Sequence, residues 1–306
     1  MKFTIYQESR PGTRANNEDR LAHCYSRDAL LTVVADGMGG HYYGEVAAQI
    51  AVQTLIESFQ RKASPALDDP FLFLQQSMNN AHRAIVDFAD THRLGDSPRT
   101  TCVACVVQNN VAYWAHCGDS RLYLIRNGRV IARTRDHSRV RLLLDRGAIN
   151  EAQAAIHPDK NKIYSCLGGP ATPEIEFSRK TPLEAGDLLL LCTDGLWGPL
   201  PDEMLAAGLQ ADGPMQALPV LFHEAEIRSG AHADNLSAIA FRWEDSYDDA
   251  QAATSLAIST QSMDGETVST RLDEFGHNPG YKTELAENEI ERAIAEIRAA
   301  IHKYSK

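Results

Sequence analysis

Two apolar runs in this chain end in the same way. Leu30–Ala35, LLTVVA, stops at Asp36-Gly37, and Leu188–Cys192, LLLLC, stops at Thr193-Asp194-Gly195. Short, nearly continuous apolar runs bounded by turn signals read as buried strands, so each places a carboxylate at the tip of a strand. A third version, Ala233-Asp234-Asn235, precedes the run LSAIAFRW, and a fourth, His116-Cys117-Gly118-Asp119-Ser120-Arg121, lies between two strand-like runs. Asn17-Glu18-Asp19 sits near the N-terminus. Any one Asp-Gly alone reads as an ordinary turn dipeptide. Several acidic sites at strand ends mean more, because strand ends in a sheet or sandwich lie along one rim and their carboxylates can converge.

Converging carboxylates repel and shift one another's pKa unless cations intervene. Hard oxygen ligands without a His or Cys set point to Mg²⁺ or Mn²⁺ rather than zinc. Gly37 lacks a side chain, so its carbonyl can approach a cation, and Gly39 and Gly40 keep the path over the site clear. A phosphate-cradling loop is the competing reading, but the chain has no GK[ST] and no GxGxxG after a strand. Arg14 stands close to Glu18 and Asp19. An isolated exposed arginine is a solvated surface charge; beside a polycarboxylate metal site, its guanidinium fork suits a phosphate dianion.

Strands are expected at Phe3–Tyr6, Leu21–Tyr25, Leu30–Ala35, Thr101–Gln108, Val111–Ala115, Arg121–Arg126, Arg129–Ala132, Glu174–Phe177, Leu188–Cys192 and Leu236–Trp243. Asn109-Asn110 and Asn127-Gly128 separate neighbouring runs, and an Asn-Gly step there signals a hairpin. Glu45–Phe59 and Phe71–Phe88 carry apolar residues at helical spacing, and further helices are expected near Pro201–Leu209 and Met215–Ser229. Strand clusters joined by hairpins and separated by helix pairs predict an α+β fold of antiparallel sheets covered by helices. The regular strand–helix alternation of a doubly wound parallel sheet is missing, and there is no internal repeat.

The chain has 306 residues and a net charge of -11, which argues against binding nucleic acid or an acidic membrane surface. The N-terminus, MKFTIYQESRPG, has no apolar signal core, and no apolar run is long enough to span a bilayer, so a cytoplasmic location is expected. Cys102 and Cys105 have CxxC spacing, but TTCVACVV reads as a strand. Residues three apart on a strand face opposite ways, so these thiols are expected to be separate small core residues. Beyond Trp243 the composition turns acidic and polar, predicting a linker over 244–278. Ile290, Ile294, Ile297, Ile301 and Tyr304 then form a coiled-coil-like seam, predicting an amphipathic helix within 279–306. Such a helix alone is marginal and needs a surface, either a partner or the preceding domain.

The segments GTRANNED, VVADGMGGHYYGEVA, RTTCVACVV, AHCGDSRLYLIRNG, RDHS, LLLLCTDGLWG and ADNLSAIAF occur in the order and approximate spacing of the metal-dependent protein phosphatases, the PPM or type 2C family. Residues 1–243 resemble most its bacterial branch of serine/threonine phosphatases. The resemblance implies a four-layer αββα sandwich with a flap near 138–170. It also implies hydrolysis of phosphoserine and phosphothreonine in proteins, in opposition to a Ser/Thr kinase. It implies that Asp36 bridges two metal ions, that Gly37 offers its carbonyl to the second, and that Asp194 and Asp234 hold the first. Glu18 and Asp19 would act through the second metal's waters, Arg14 would bind the substrate phosphate, and Asp119 with Asp194 would hold a third, weaker metal. Many eukaryotic members have His where this chain has Met38, so the proton for the departing alkoxide falls to His41 or to a water on the metals. Two rivals are an inactive relative that binds phosphoproteins without turnover and a two-metal nuclease. The complete set Asp36, Asp194 and Asp234 disfavours the first, and the negative charge disfavours the second.

Overall fold

The computed structural model describes residues 1–38 and 43–245 and the backbone of Val268–Ser269. His41 and the helix expected within 279–306 lie outside the described residues, as does nearly all of the linker. The strands are β1 (Phe3–Arg10), β2 (Arg20–Tyr25), β3 (Ala29–Ala35), β4 (Gly37–Met38), β5 (Arg99–Thr100), β6 (Cys102–Gln108), β7 (Val111–Cys117), β8 (Arg121–Arg126), β9 (Arg129–Arg133), β10 (Glu176–Phe177), β11 (Thr181–Pro182), β12 (Leu188–Cys192), β13 (Leu236–Trp243) and β14 (Val268–Ser269). The helices are α1 (Gly44–Lys62), α2 (Pro70–Thr91), α3 (Arg139–Asp145), α4 (Glu151–Ala155), α5 (Asp194–Trp197) and α6 (Asp202–Ser229).

Two antiparallel sheets stack face to face. One runs β1-β13-β12-β8-β9, and the other runs β10-β7-β6-β3-β2-β14, with β11 also paired to β7. Side-chain parity along the strands divides the interior into three apolar layers. Leu30, Val34, Val103, Val107, Leu189 and Phe241 fill the space between the sheets. Leu31, Val33, Ala104 and Val106 face α1 and α2, while Tyr123, Leu188, Leu190 and Phe222 pack between the other sheet and α6. The result is the expected αββα sandwich. Cys102 joins the helix-side layer and Cys105 the inter-sheet layer, on opposite faces of β6 as its alternation requires.

Local chemistry explains several boundaries. Asn109, Asn110, Asn127 and Gly128 all take positive φ, which makes tight hairpins of β6–β7 and β8–β9. Pro70 occupies the first turn of α2, and the Asp69 carboxylate accepts from the N–H groups of Phe71 and Leu72. The two helices expected near Pro201–Leu209 and Met215–Ser229 are two segments of α6, divided at Gly213, which has φ 74° and ψ 171°. β10 is shorter than expected because Glu174 leaves the ladder to exchange hydrogen bonds with the Ser165 hydroxyl. At the start of β12, buried Asp187 accepts from Nε and Nη2 of Arg126, both at 2.7 Å. Among the described residues no helix is long and apolar enough to cross a membrane.

Candidate metal centre

Antiparallel pairing carries the acidic motifs to one edge of the sandwich. In one sheet Arg10 pairs with Leu236, Cys192 with Ala238, and Cys192 with Arg121. The loop carrying Arg14, the residue Asp234 before β13, Asp194 after β12 and Asp119 before β8 therefore share one rim. In the other sheet Arg20 pairs with Ala35, Val34 with Val103, and Cys102 with Cys117. Glu18 and Asp19 before β2 and Asp36 after β3 thus reach the same rim.

Side chains and backbone hold these acids in place. The Asp36 peptide is fixed on both sides: its N–H donates to Thr101 Oγ1 at 3.0 Å, and its carbonyl accepts from Thr101 N at 2.9 Å and Thr100 Oγ1 at 2.8 Å. Asp19 Oδ2 accepts from Thr193 Oγ1 at 2.9 Å, whereas its Oδ1 is buried with no hydrogen-bond partner. Asn235 ties the N-terminal loop to the start of β13. Its Oδ1 accepts from Glu18 N at 2.8 Å, and its Nδ2 donates to the carbonyls of Pro11 and Asn16. Asp194 is the first residue of α5. Close packing at this rim excludes side chains at several glycines: a Cβ on Gly37 would collide with the carbonyls of Gly44 and Glu18, one on Gly195 with the carbonyl of Asn235, and one on Gly12 with the carbonyl of Asp234.

Burial and nearby charges raise the carboxyls of Glu18, Asp19, Asp36, Asp119 and Asp194 above their ordinary range. Burial is the first cause for Asp36, which lies well above that range and also feels the charges of Asp19, Asp194, Asp119 and Asp234. Burial likewise brings Asp19 to about 7, Asp119 to about 8 and Asp194 to about 6, each with neighbouring aspartates adding to it. Glu18 is raised by burial and by Glu45; it stands at the border, toward Gly44 at the start of α1. Arg14, also at the border, donates from Nη2 to Asp234 Oδ2 at 2.7 Å and is 61% exposed. Two further guanidinium groups stand nearby: Arg121 is held by Asp136 through bonds of 2.8 and 2.7 Å, and Arg20 donates from Nη1 to the carbonyls of Asn17 and Asp19 and pairs with Glu45. A cluster of hard, buried oxygens with little basic compensation, one of them unpartnered, fits divalent cations.

The sequence reading named Glu18, Asp19, Asp36, Asp119, Asp194 and Asp234 but not Glu45, whose charge acts on Glu18, and it missed Thr101, Thr193 and Asn235 as the groups that orient the named acids. Their only signal is position inside the motifs RTT, CTDG and ADN. A second group of metal-ligand types, His116, His137 and Glu176, places ligand atoms within 4.8 Å of one another. His137 Nδ1 accepts the N–H of Gly118, so the proton of the neutral ring sits on Nε2, which faces Glu176. A cation at Nε2 would require the other tautomer, whose Nδ1 proton would oppose the Gly118 N–H.

The raised acids give the rim a pH signature. In the folded chain Asp194, Asp19 and Asp119 keep protons that the unfolded chain releases near pH 4, so stability declines as pH rises toward their folded values of about 6 to 8. With a chelator present, the melting temperature is expected to fall between about pH 5 and about pH 8, and Mn²⁺ should restore more of it at the higher pH. A chelated protein that melts higher at the alkaline end would contradict this electrostatic account.

Residues 7–218 match the family described as Protein phosphatase 2C. The serine/threonine phosphatase stp of Listeria innocua is 33% identical over 199 residues, covering 64% of this chain and 79% of that protein. Serine/threonine protein phosphatase PstP of Mycobacterium tuberculosis is 34% identical over 227 residues, covering 74% of this chain and 42% of that longer protein. Among solved structures, the S. agalactiae serine/threonine phosphatase superposes with a TM-score of 0.71 at 28% identity, over 79% of this chain and all of that one. The catalytic domain of PstP in complex with 2 manganese ions gives a TM-score of 0.67 at 30% identity, over 79% of this chain and 99% of that one. From the ordered motifs, the αββα layers, the acidic rim and these likenesses, the chain belongs to the protein phosphatase 2C family.

Proposed function

We propose that this phosphatase hydrolyses phosphoserine and phosphothreonine in proteins with two divalent cations, manganese or magnesium, at the acidic rim. The observation that carries the reading is the convergence of Asp36 with Asp19, Asp119, Asp194 and Asp234 on one rim of the sandwich, where all four charges act on Asp36. Asp36 would bridge the two cations, Asp194 and Asp234 would complete one site, and the Gly37 carbonyl would serve the other. Glu18 and Asp19 would act on that second site through water, and Asp119 with Asp194 would hold a weaker third cation. Bound there, the cations lower the pKa of water and draw charge from the phosphoryl oxygens.

The chain's own groups supply the rest. A guanidinium has five N–H donors, and Arg14 directs Nη2 to Asp234 while remaining largely exposed. Its other donors are available for a phosphoryl group, where they would orient it and offset its charge. Thr193 fixes one oxygen of Asp19 and leaves the other, unpartnered, to orient water at the rim. His41 is the proposed proton donor to the departing alkoxide. A thiolate nucleophile is disfavoured, because burial pushes the thiols up, Cys24 and Cys117 to about 12. The biological counterpart would be a Ser/Thr kinase, and the amphipathic helix expected from the sequence within 279–306 would dock on a partner or on the catalytic domain.

Three measurements test this reading. Mn²⁺-dependent phosphate release from a phosphothreonine peptide should fall by at least about 100-fold in Asp36→Asn, while Arg14→Ala should chiefly raise KM; an active Asp36→Asn would end the proposal. His41→Gln should slow the phosphopeptide more than p-nitrophenyl phosphate, whose leaving group needs no proton, and equal losses on both would remove His41 from the role. Removing residues 246–306 should change activity, melting temperature or captured partners, and no change in any of the three would leave the tail without the proposed docking role.

A further inference from the structure

The residue pair Asp136-His137 lies outside the acidic rim, yet His137 bonds both backbone groups of Gly118, the residue before Asp119, and Asp136 reaches the Asp119 carbonyl through Arg121 and Trp197. His137 is 1% exposed, with its ring between those of His116, 4.6 Å away, and Tyr164, 5.4 Å away. It holds Gly118 twice: its backbone N–H donates to the Gly118 carbonyl at 2.9 Å, and its ring Nδ1 accepts the Gly118 N–H at 3.3 Å. On the other side, the Asp119 carbonyl accepts from Trp197 Nε1 at 3.0 Å. Trp197 in turn lies under the Arg121 guanidinium, 3.4 Å from the ring centroid, and Arg121 is gripped by Asp136 through two bonds. The start of the flap segment thus clamps the turn that presents Asp119.

We propose that His137 is a positioning residue for Asp119, its Nδ1 lone pair locking the Gly118–Asp119 turn in the orientation that lets the carboxylate serve a cation. The lock requires one tautomer. A ring with its proton on Nε2 presents a lone pair at Nδ1, whereas a proton on Nδ1 would oppose the Gly118 N–H. Two neighbours favour the required form. Glu176 Oε2 lies 3.6 Å from Nε2 and attracts a proton there. Burial and the adjacent His116 lower the pKa of the ring, so it stays neutral near neutral pH. His116 is itself oriented by donation from Nε2 to the Arg135 carbonyl at 2.7 Å, one residue before Asp136. The inference rests on the reading of Asp119 as a cation ligand.

The test compares His137→Asn, His137→Gln and Asp119→Asn in the full-length protein, reading the Mn²⁺ concentration for half-maximal phosphopeptide hydrolysis. The amide oxygen of Asn occupies the place of Nδ1, whereas the amide of Gln reaches the place of Nε2. Loss of an outer hydrogen bond to a metal ligand typically weakens metal use by about 10- to 100-fold. His137→Gln should therefore require at least about tenfold more Mn²⁺, in the direction of Asp119→Asn, while His137→Asn stays within about threefold of the parent. A merely structural histidine predicts the reverse order, because Gln is closer to it in size. Equal loss in the two histidine variants, shared failure to fold included, overturns the lock, as does an unchanged Mn²⁺ requirement in His137→Gln. If Asp119→Asn alone leaves the Mn²⁺ requirement unchanged, it is the ligand reading of Asp119 that fails.

Discussion

Mutual repulsion among buried carboxylates is the constraint on which the rest of this structure depends. Asp19, Asp36, Asp119 and Asp194 gain nothing from burial by themselves, and each is pushed above the ordinary carboxylate range. Such a cluster persists only because the surrounding framework is stiff enough to impose it, and an apolar sandwich three layers deep supplies that stiffness. The framework also has to be exact at the backbone, which is why the rim is laced with hydrogen bonds: Thr100 and Thr193 donate to the Asp36 carbonyl and the Asp19 carboxylate, and Thr101 and Asn235 accept from the peptides of Asp36 and Glu18. Destabilisation here and affinity for doubly charged cations are two aspects of one arrangement.

Much of the fold was legible because strand parity and turn chemistry act locally. The placement of Cys102 and Cys105 on opposite faces follows from spacing alone, and Asn127-Gly128 signals its hairpin through the left-handed backbone it prefers. The ribbon of Gly37–Met38 with Arg99–Thr100 was not legible. Two residues cannot display a period, and its partners lie far apart in the chain. The helical segments either side of Gly213 were legible as separate pieces, while their meeting without an intervening loop was not.

The site was legible to a different depth. Carboxylates at strand tips could be gathered onto one rim by reasoning from antiparallel order, and the resemblance assigned them roles. What spacing could not reveal is how one side-chain amide holds three backbone groups of a single distant loop, as Asn235 does with Pro11, Asn16 and Glu18. Nor could it reveal that His137 reaches the peptide of Gly118. Those contacts are decided by side-chain rotamers and loop paths, which no periodicity encodes.

The central strand Leu188–Cys192 has apolar layers on both sides, with four consecutive leucines to fill them. A slip of one residue would exchange the two sets of leucines at little cost, since either interior accepts them. The packing therefore cannot, by itself, hold this strand in frame. Its polar ends can: Asp187 is anchored by Arg126 before the strand, and Thr193 exchanges hydrogen bonds with Ser237 after it. Asp194 follows directly, so the sliding position of a greasy strand, and with it the reach of that carboxylate, is governed by two hydrophilic bolts rather than by the oily interior they enclose.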